Sequence, residues 1–144
     1  MPALLDIVLI EDNSADRELT LRSLQQHGLS NSIAVCTDGE QAMRLVLRQA
    51  EYATRPQIGL VILDLNLPKV NGFDVLAMIR ANPDTSHVPV IVLAGSHDAP
   101  DVAEARKLGA DHYMVKPVDF AKVVEVAKDL RLKWALLLGH GPGP

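Results

Sequence analysis

Four side chains stand where chemistry can be done. Glu11 and Asp12 follow the apolar run Ile7-Val8-Leu9-Ile10, Asp64 ends the run Val61-Ile62-Leu63, and Lys116 follows Tyr113-Met114-Val115. An aliphatic run without polar alternation is the pattern of a parallel strand buried on both faces, and its last residue surfaces at the carboxyl edge of the sheet. Three carboxylates and a lysine would then share one edge. Carboxylates so placed raise one another's pKa unless a cation neutralises them. Mg2+ suits such a site, because it takes oxygen from one or two carboxylates and leaves positions for phosphate oxygens. With the charge of Lys116 added, the set describes a place for a phosphoryl group, with Asp64 as the nucleophile of an aspartyl phosphate. The bland alternative for Asp64 is a strand-ending residue that caps the next turn.

The elements that must position these residues alternate in kind. Strands are expected at 6–10, 32–36, 61–64, 88–93 and 112–115. Helices follow each: one capped by Asn13 or Ser14 and stopped near His27-Gly28, and one opened by Asp38 and Gln41 at capping-box spacing. A third follows a tight turn at Gly72 and ends at Asn82-Pro83-Asp84, a fourth starts at Asp98 and Pro100 and closes at Leu108-Gly109, and Asp119 caps the last. The stretch 49–57 carries no pattern, and Pro56 breaks the chain before the central strand. Five strands alternating with five helices predict an α/β doubly wound parallel sheet in the order 2-1-3-4-5. The order reverses between strands 1 and 3, which opens a crevice with Glu11 and Asp12 on one lip and Asp64 on the other.

Composition agrees. The 144 residues fit one domain, spanning 1–138, with 139–144 a frayed Gly/Pro tail. Hydrophobic residues are 48% but aromatic ones 3%, so the core is aliphatic. A net charge of −4 without a Lys/Arg cluster gives no drive toward nucleic acid. Cys36 is alone and cannot form an internal disulfide, and no apolar run reaches membrane-spanning length. A cytoplasmic protein is expected. Arg44, Arg48, Arg80 and Arg106 read as solvated helix faces.

Glu11-Asp12, Asp64-Leu65-Asn66-Leu67-Pro68, Asn71-Gly72, Gly109-Ala110 and Lys116-Pro117 together resemble the receiver domain of two-component response regulators, over about residues 5–132. The resemblance implies a flavodoxin-like fold and phosphoryl transfer from the phosphohistidine of a sensor histidine kinase to Asp64. It implies Mg2+ held by Asp12, Asp64 and the backbone carbonyl of Asn66, with Glu11 acting through water. Lys116 and the backbone N–H of Gly95 would bind the phosphoryl group. The segment from Leu63 to Ser96 is similar to the small stand-alone regulators of phytochrome-type kinases.

One position departs from the family. Ala94 stands where a Thr or Ser hydroxyl bonds a phosphoryl oxygen and where Tyr113, the switch aromatic, responds to its movement. Losing a hydrogen bond to a charged oxygen costs about 1.5–3 kcal/mol, so phosphorylation is expected to change the conformation less than is usual. Asn66 and Ser96 are candidate modulators, Ser96 set against an ordinary loop serine. In the last helix Phe120, Ala127 and Trp134, and Val123, Leu130 and Leu137, recur every seven residues. This seam predicts a homodimer through the helix, set against simple packing on the sheet, the preferred reading from Phe120 to Ala127.

Two rival readings fit parts of the pattern. A haloacid-dehalogenase-type phosphatase needs a second acid two residues after the nucleophile, where this chain has the amide Asn66. A pseudo-receiver, an interaction module not regulated by phosphorylation, is favoured by Ala94 and opposed by Glu11, Asp12, Asp64 and Lys116.

Overall fold

The computed structural model describes residues 4–5, 7–26, 33–95, 98–116 and 119–137, with the side chains of 4–5, 120 and 130–137 outside that description. Three aliphatic runs form the centre of a five-stranded parallel sheet: β1 (Ile7–Ile10), β3 (Val61–Asp64) and β4 (Val90–Ala94) are buried at every position. β2 (Ile33–Cys36) and β5 (His112–Val115) lie at the edges and are only half covered. The order is β2-β1-β3-β4-β5, as the alternation of elements predicts.

The absence of polar alternation is explained by helices on both faces. On one face Val8, Ile10, Leu63 and Val92 pack with Ala42, Leu45 and Val46 of α2 (Gly39–Val46) and with Val75, Leu76 and Ile79 of α3 (Gly72–Ala81). On the other, Ile7, Leu9, Ile62 and Leu93 meet Leu24 of α1 (Ser14–Gln26) and Val123, Val124, Val126 and Ala127 of α5 (Phe120–Leu137). α4 (Ala99–Lys107) contacts α3 and β5. The chain from β1 therefore leaves toward one face and the chain from β3 toward the other, which opens the crevice between their carboxyl ends.

Several expectations need correction. The sheet extends further at its amino edge: Leu4–Leu5 pairs with Gln57–Ile58 in the register that continues the β1–β3 pairing. β4 begins at Val90 rather than Val88, because Pro89 has no N–H to give and uses only its carbonyl, which accepts from Val61 N at 2.9 Å. The stretch 49–57 is not structureless. It holds a 3-10 turn (Ala50–Tyr52), and Arg55 is buried, donating to the carbonyls of Leu45, Val46 and Pro56 and to Asp84 at 2.8 Å. A guanidinium thereby adds donors to carbonyls at the end of α2, where Leu45 O also accepts from Arg48 N at 3.3 Å and Val46 O from Asn82 Nδ2 at 3.1 Å. Arg80 is no solvated face either, since it donates to the carbonyls of Gly109, Ser86 and Val88 and pairs with Asp111 at 3.1 Å.

Helix starts follow the sequence with changes of detail. Asn13, not Ser14, caps α1, its Oδ1 accepting from Asp16 N at 2.9 Å. Asp38 caps α2 by accepting from Gln41 N at 2.8 Å, but the Gln41 side chain reaches Thr37 N, at 2.7 Å, so the capping box is shifted by one residue. Asn71 caps α3, and Gly72 is its first residue rather than a turn. A Cβ at Gly72 would lie 2.5 Å from Leu65 Cα, so close approach to the end of β3, not backbone freedom, demands glycine there. Gly109 does close α4 in the left-handed region, with φ +99°, and Asp119 caps α5 by accepting from Ala121 N at 3.0 Å.

The heptad seam divides. Val123 and Ala127 are buried in this chain's own core, so they are not available to a partner, and their spacing is the packing stripe of α5 on the sheet. Phe120, Leu130, Trp134 and Leu137 fall outside the described side chains, as do Ser96, Pro117 and the tail 139–144 outside the described residues. No helix among the described residues is long and apolar enough to cross a membrane.

Candidate functional site

The crevice is assembled by backbone pairing that runs one residue past each strand. Glu11 N donates to Cys36 O at 3.0 Å, Leu65 N to Leu93 O at 3.0 Å and Lys116 N to Ala94 O at 2.7 Å. These bonds fix the residues at the strand ends before any side chain is considered. Glu11 and Asp64 are each about 1% exposed at the side chain, whereas Asp12 opens to solvent. Oxygen atoms of all three lie within 4.8 Å of one another, the one such grouping of acidic, His or Cys residues among those described.

Lys116 organises the cluster. Its Nζ donates to Asp64 Oδ2 at 2.6 Å, to Asp16 Oδ2 at 3.0 Å and to Glu11 Oε1 at 3.1 Å. Asp64 Oδ1 accepts the N–H of Asn66 at 2.8 Å, and Glu11 Oε2 the N–H of Asn13 at 3.3 Å. Both carboxylates thus reach charge-assisted partners that offset part of their desolvation. Burial is the main cause that pushes the Glu11 carboxyl up to about 8, with the adjacent Asp64 adding to it and Lys116 opposing. Burial by itself would lower the lysine, but the bonds from Asp64, Asp16 and Glu11 outweigh it and hold Lys116 above its ordinary value.

The loop after Asp64 is tied down on the far side. Gly72 N donates to Leu65 O at 3.2 Å and Gly39 N to Pro68 O at 3.3 Å, and a Cβ at Gly39 would meet Val70 at 2.6 Å. Lys69, itself at φ +71°, reaches Asp38 at 3.5 Å and Glu40 at 3.7 Å. Asn66 is exposed at the rim, and a Cβ on the facing Gly95 would lie 3.4 Å from its Nδ2. Ala94 is buried at the end of β4, and Tyr113 packs half-buried against the same core face.

The structure therefore brings together Glu11, Asp12, Asp64 and Lys116, and puts Asn66 and Gly95 beside them. It adds two residues that sequence reasoning missed. Asp16 joins the lysine, and Arg17 Nη1 donates to the carbonyls of Glu11 and Asp12 at 3.2 and 3.4 Å. The available signal was the helix start: with Asn13 as cap, Asp16 falls in the first turn of α1 and lies over the end of β1. The donor set fits a hard cation, being all carboxylate oxygen, and Cys36, the nearest soft candidate in sequence to this edge, is buried with its thiol pushed up to about 12 by that burial.

Comparison with known proteins agrees with this geometry. Residues 7–128 match the model of the response regulator receiver domain. The chain is 34% identical over 128 residues to response regulator Rcp1 of Synechocystis sp., covering 89% of this chain and 87% of Rcp1. Its fold is similar to the phosphorylated cyanobacterial phytochrome response regulator RcpA, with a TM-score of 0.78 and 32% identity over 92% of this chain and 94% of that one. It is also similar to the Mn2+-bound form of Rcp1, with a TM-score of 0.75 and 34% identity over 96% and 98% of the two chains. By sequence, fold and the acidic crevice alike, this chain belongs to the response regulator receiver family.

Proposed function

We propose that this protein is a stand-alone, cytoplasmic response regulator that accepts a phosphoryl group on Asp64 from a sensor histidine kinase, acting as a signal relay or phosphate sink rather than as an enzyme. The observation that carries this reading is the pairing of a buried aspartate with Lys116 at 2.6 Å beside two further carboxylates. A phytochrome-type kinase is supported by the similarity to RcpA and Rcp1.

Asp12, Asp64 and the carbonyl of Asn66 would hold Mg2+, with Glu11 acting through water. The bound ion supplies Lewis-acid stabilisation of phosphoryl oxygens. The remaining work falls to the chain. Asp64 Oδ2 attacks phosphorus, the P–N bond of the phosphohistidine breaks, and its electron pair stays on the imidazole nitrogen. As Oδ2 becomes the bridging oxygen of an acyl phosphate it loses its negative charge, and Lys116 transfers that hydrogen bond to a phosphoryl oxygen. Asn66 N–H keeps Oδ1 in place throughout. After incubation with Mg2+ and acetyl phosphate, intact mass is expected to rise by one phosphoryl group in the wild type and not in Asp64→Asn. An unmodified wild type that still binds beryllofluoride would indicate a short-lived adduct, and failure of both would favour the pseudo-receiver.

Proton and metal compete for Glu11. A carboxyl raised from 4.5 to about 8 contributes stability that is complete below pH 4.5 and is lost as pH rises through 8, because the folded state binds the extra proton. In EDTA, the thermal midpoint should therefore fall from pH 6 to pH 8.5, and Glu11→Gln should flatten that slope. The stabilisation given by Mg2+ should grow over the same range. A rising EDTA profile would contradict the assignment.

Ala94 supplies no hydroxyl at the end of β4. The drive on Tyr113 is correspondingly weaker, and phosphorylation shifts α4 and β5 little. Ala94→Thr should restore a contact to a charged oxygen, worth about 1.5–3 kcal/mol. NMR of the beryllofluoride-loaded proteins is expected to show larger shifts at Tyr113 and along α4 in the variant. Large shifts already present in the wild type would count against a weak switch.

A further inference from the structure

One member of the lysine cluster belongs neither to the acidic pair nor to the acceptor. Asp16 sits in the first turn of α1, where its N–H is held by Asn13 Oδ1 at 2.9 Å and its carbonyl by the Thr20 hydroxyl at 2.9 Å. Its Oδ2 meets Lys116 Nζ at 3.0 Å. An ammonium has three N–H donors, and Glu11, Asp16 and Asp64 each take one. Two of those three acceptors also belong to the carboxylate group that can take a cation, and Asp16 does not.

This asymmetry has a consequence in charge. A divalent ion among Glu11, Asp12 and Asp64 draws their negative charge onto itself and repels the ammonium beside them. Lys116 rides on a flexible four-carbon stem and its side chain is 23% exposed, so solvent competes for it once those two bonds weaken. Asp16 is anchored by a rigid helix start and keeps its charge free for the lysine. We propose that Asp16 is a positioning residue, the tether that holds Lys116 Nζ in the crevice when a cation engages Glu11 and Asp64. The tether matters for reaction because the lysine must stay within reach of a phosphoryl oxygen when Asp64 Oδ2 gives up its own bond. This second half rests on the reading of Asp64 as phosphoacceptor, and the first half does not.

The test is the chemical reactivity of the Lys116 amine in the full chain. Reductive dimethylation by formaldehyde and cyanoborohydride, followed at Lys116 by peptide mass spectrometry, would compare wild type, Asp16→Ala and Asp16→Asn with saturating Mg2+ and in EDTA. With Mg2+, Lys116 of Asp16→Ala should react severalfold faster than in wild type, and Asp16→Asn, which keeps a hydrogen-bond acceptor, should fall between. In EDTA the difference should shrink, because Glu11 and Asp64 still hold the amine; a purely structural role would move both conditions equally. Equal Lys116 rates in Mg2+ overturn the tether. Uptake of phosphoryl from acetyl phosphate should slow at saturating donor in Asp16→Ala without a change in half-saturation, and unchanged uptake beside raised reactivity would overturn the catalytic consequence. A wild type that takes no phosphoryl group refutes the acceptor reading while the amine rates still decide the tether. Should Asp16→Ala unfold by circular dichroism, Asp16→Asn against wild type carries the same comparison.

Discussion

Two carboxylates are held almost out of water around one ammonium, and the rest of the molecule is arranged to make that tolerable. Glu11 and Asp64 would each cost several kcal/mol to bury alone, by the ordinary desolvation of an ion. Lys116 meets both, and backbone N–H groups of Asn13 and Asn66 meet the oxygens the lysine leaves. The compensation is incomplete. Glu11 retains its proton far above the ordinary range because burial and Asp64 outweigh the lysine. A site so short of positive charge favours a cation.

That shortage is a product of topology. Three strands whose one polar residue is the terminal Asp64 must be covered on both faces, so their chemistry surfaces at the strand ends, here at the carboxyl edge. The reversal between β1 and β3 leaves that edge uncovered at one place, and the acidic residues stand there. The connections are then fastened away from the crevice: glycine at 72 lets α3 press on Leu65, and glycine at 39 lets α2 press on Val70. Both contacts bear on the loop that carries Asn66, so the loop is positioned by packing rather than by its own conformational preference. Arg55 and Arg80 do comparable work at the opposite edge, tying loop carbonyls to Asp84 and Asp111.

Much of this was legible in the chain. The strand order follows from alternation and handedness, and the acidic pair, Asp64 and Lys116 were placed on one edge by the apolar runs that precede them. What escaped was set by tertiary contact. Arg55 lies in a stretch with no periodicity, and nothing local signals that its guanidinium closes α2. Gly72 reads as a turn because glycine is common in turns, whereas its reason is a backbone 2.5 Å from where a Cβ would be. Asp16 reads as an ordinary acidic residue at a helix start; its partner is a hundred residues away along the chain. A heptad repeat and a sheet-packing stripe share the same spacing, so the first half of α5 fits both; Val123 and Ala127 are core, in line with packing on the sheet, the reading preferred for that half.

Lys116 is the resident counter-charge of an acidic crevice whose carboxylate oxygens suit a divalent ion. The most direct measurement is urea unfolding of Lys116→Met and wild type at pH 8, with EDTA and with saturating Mg2+. In EDTA the variant should lose about 2–3 kcal/mol, below the value for fully buried pairs because the lysine is partly exposed. Mg2+ should return most of that loss, stabilising the variant more than the wild type. A variant as stable as wild type in EDTA, or one that gains no more from Mg2+ than wild type does, would contradict the account.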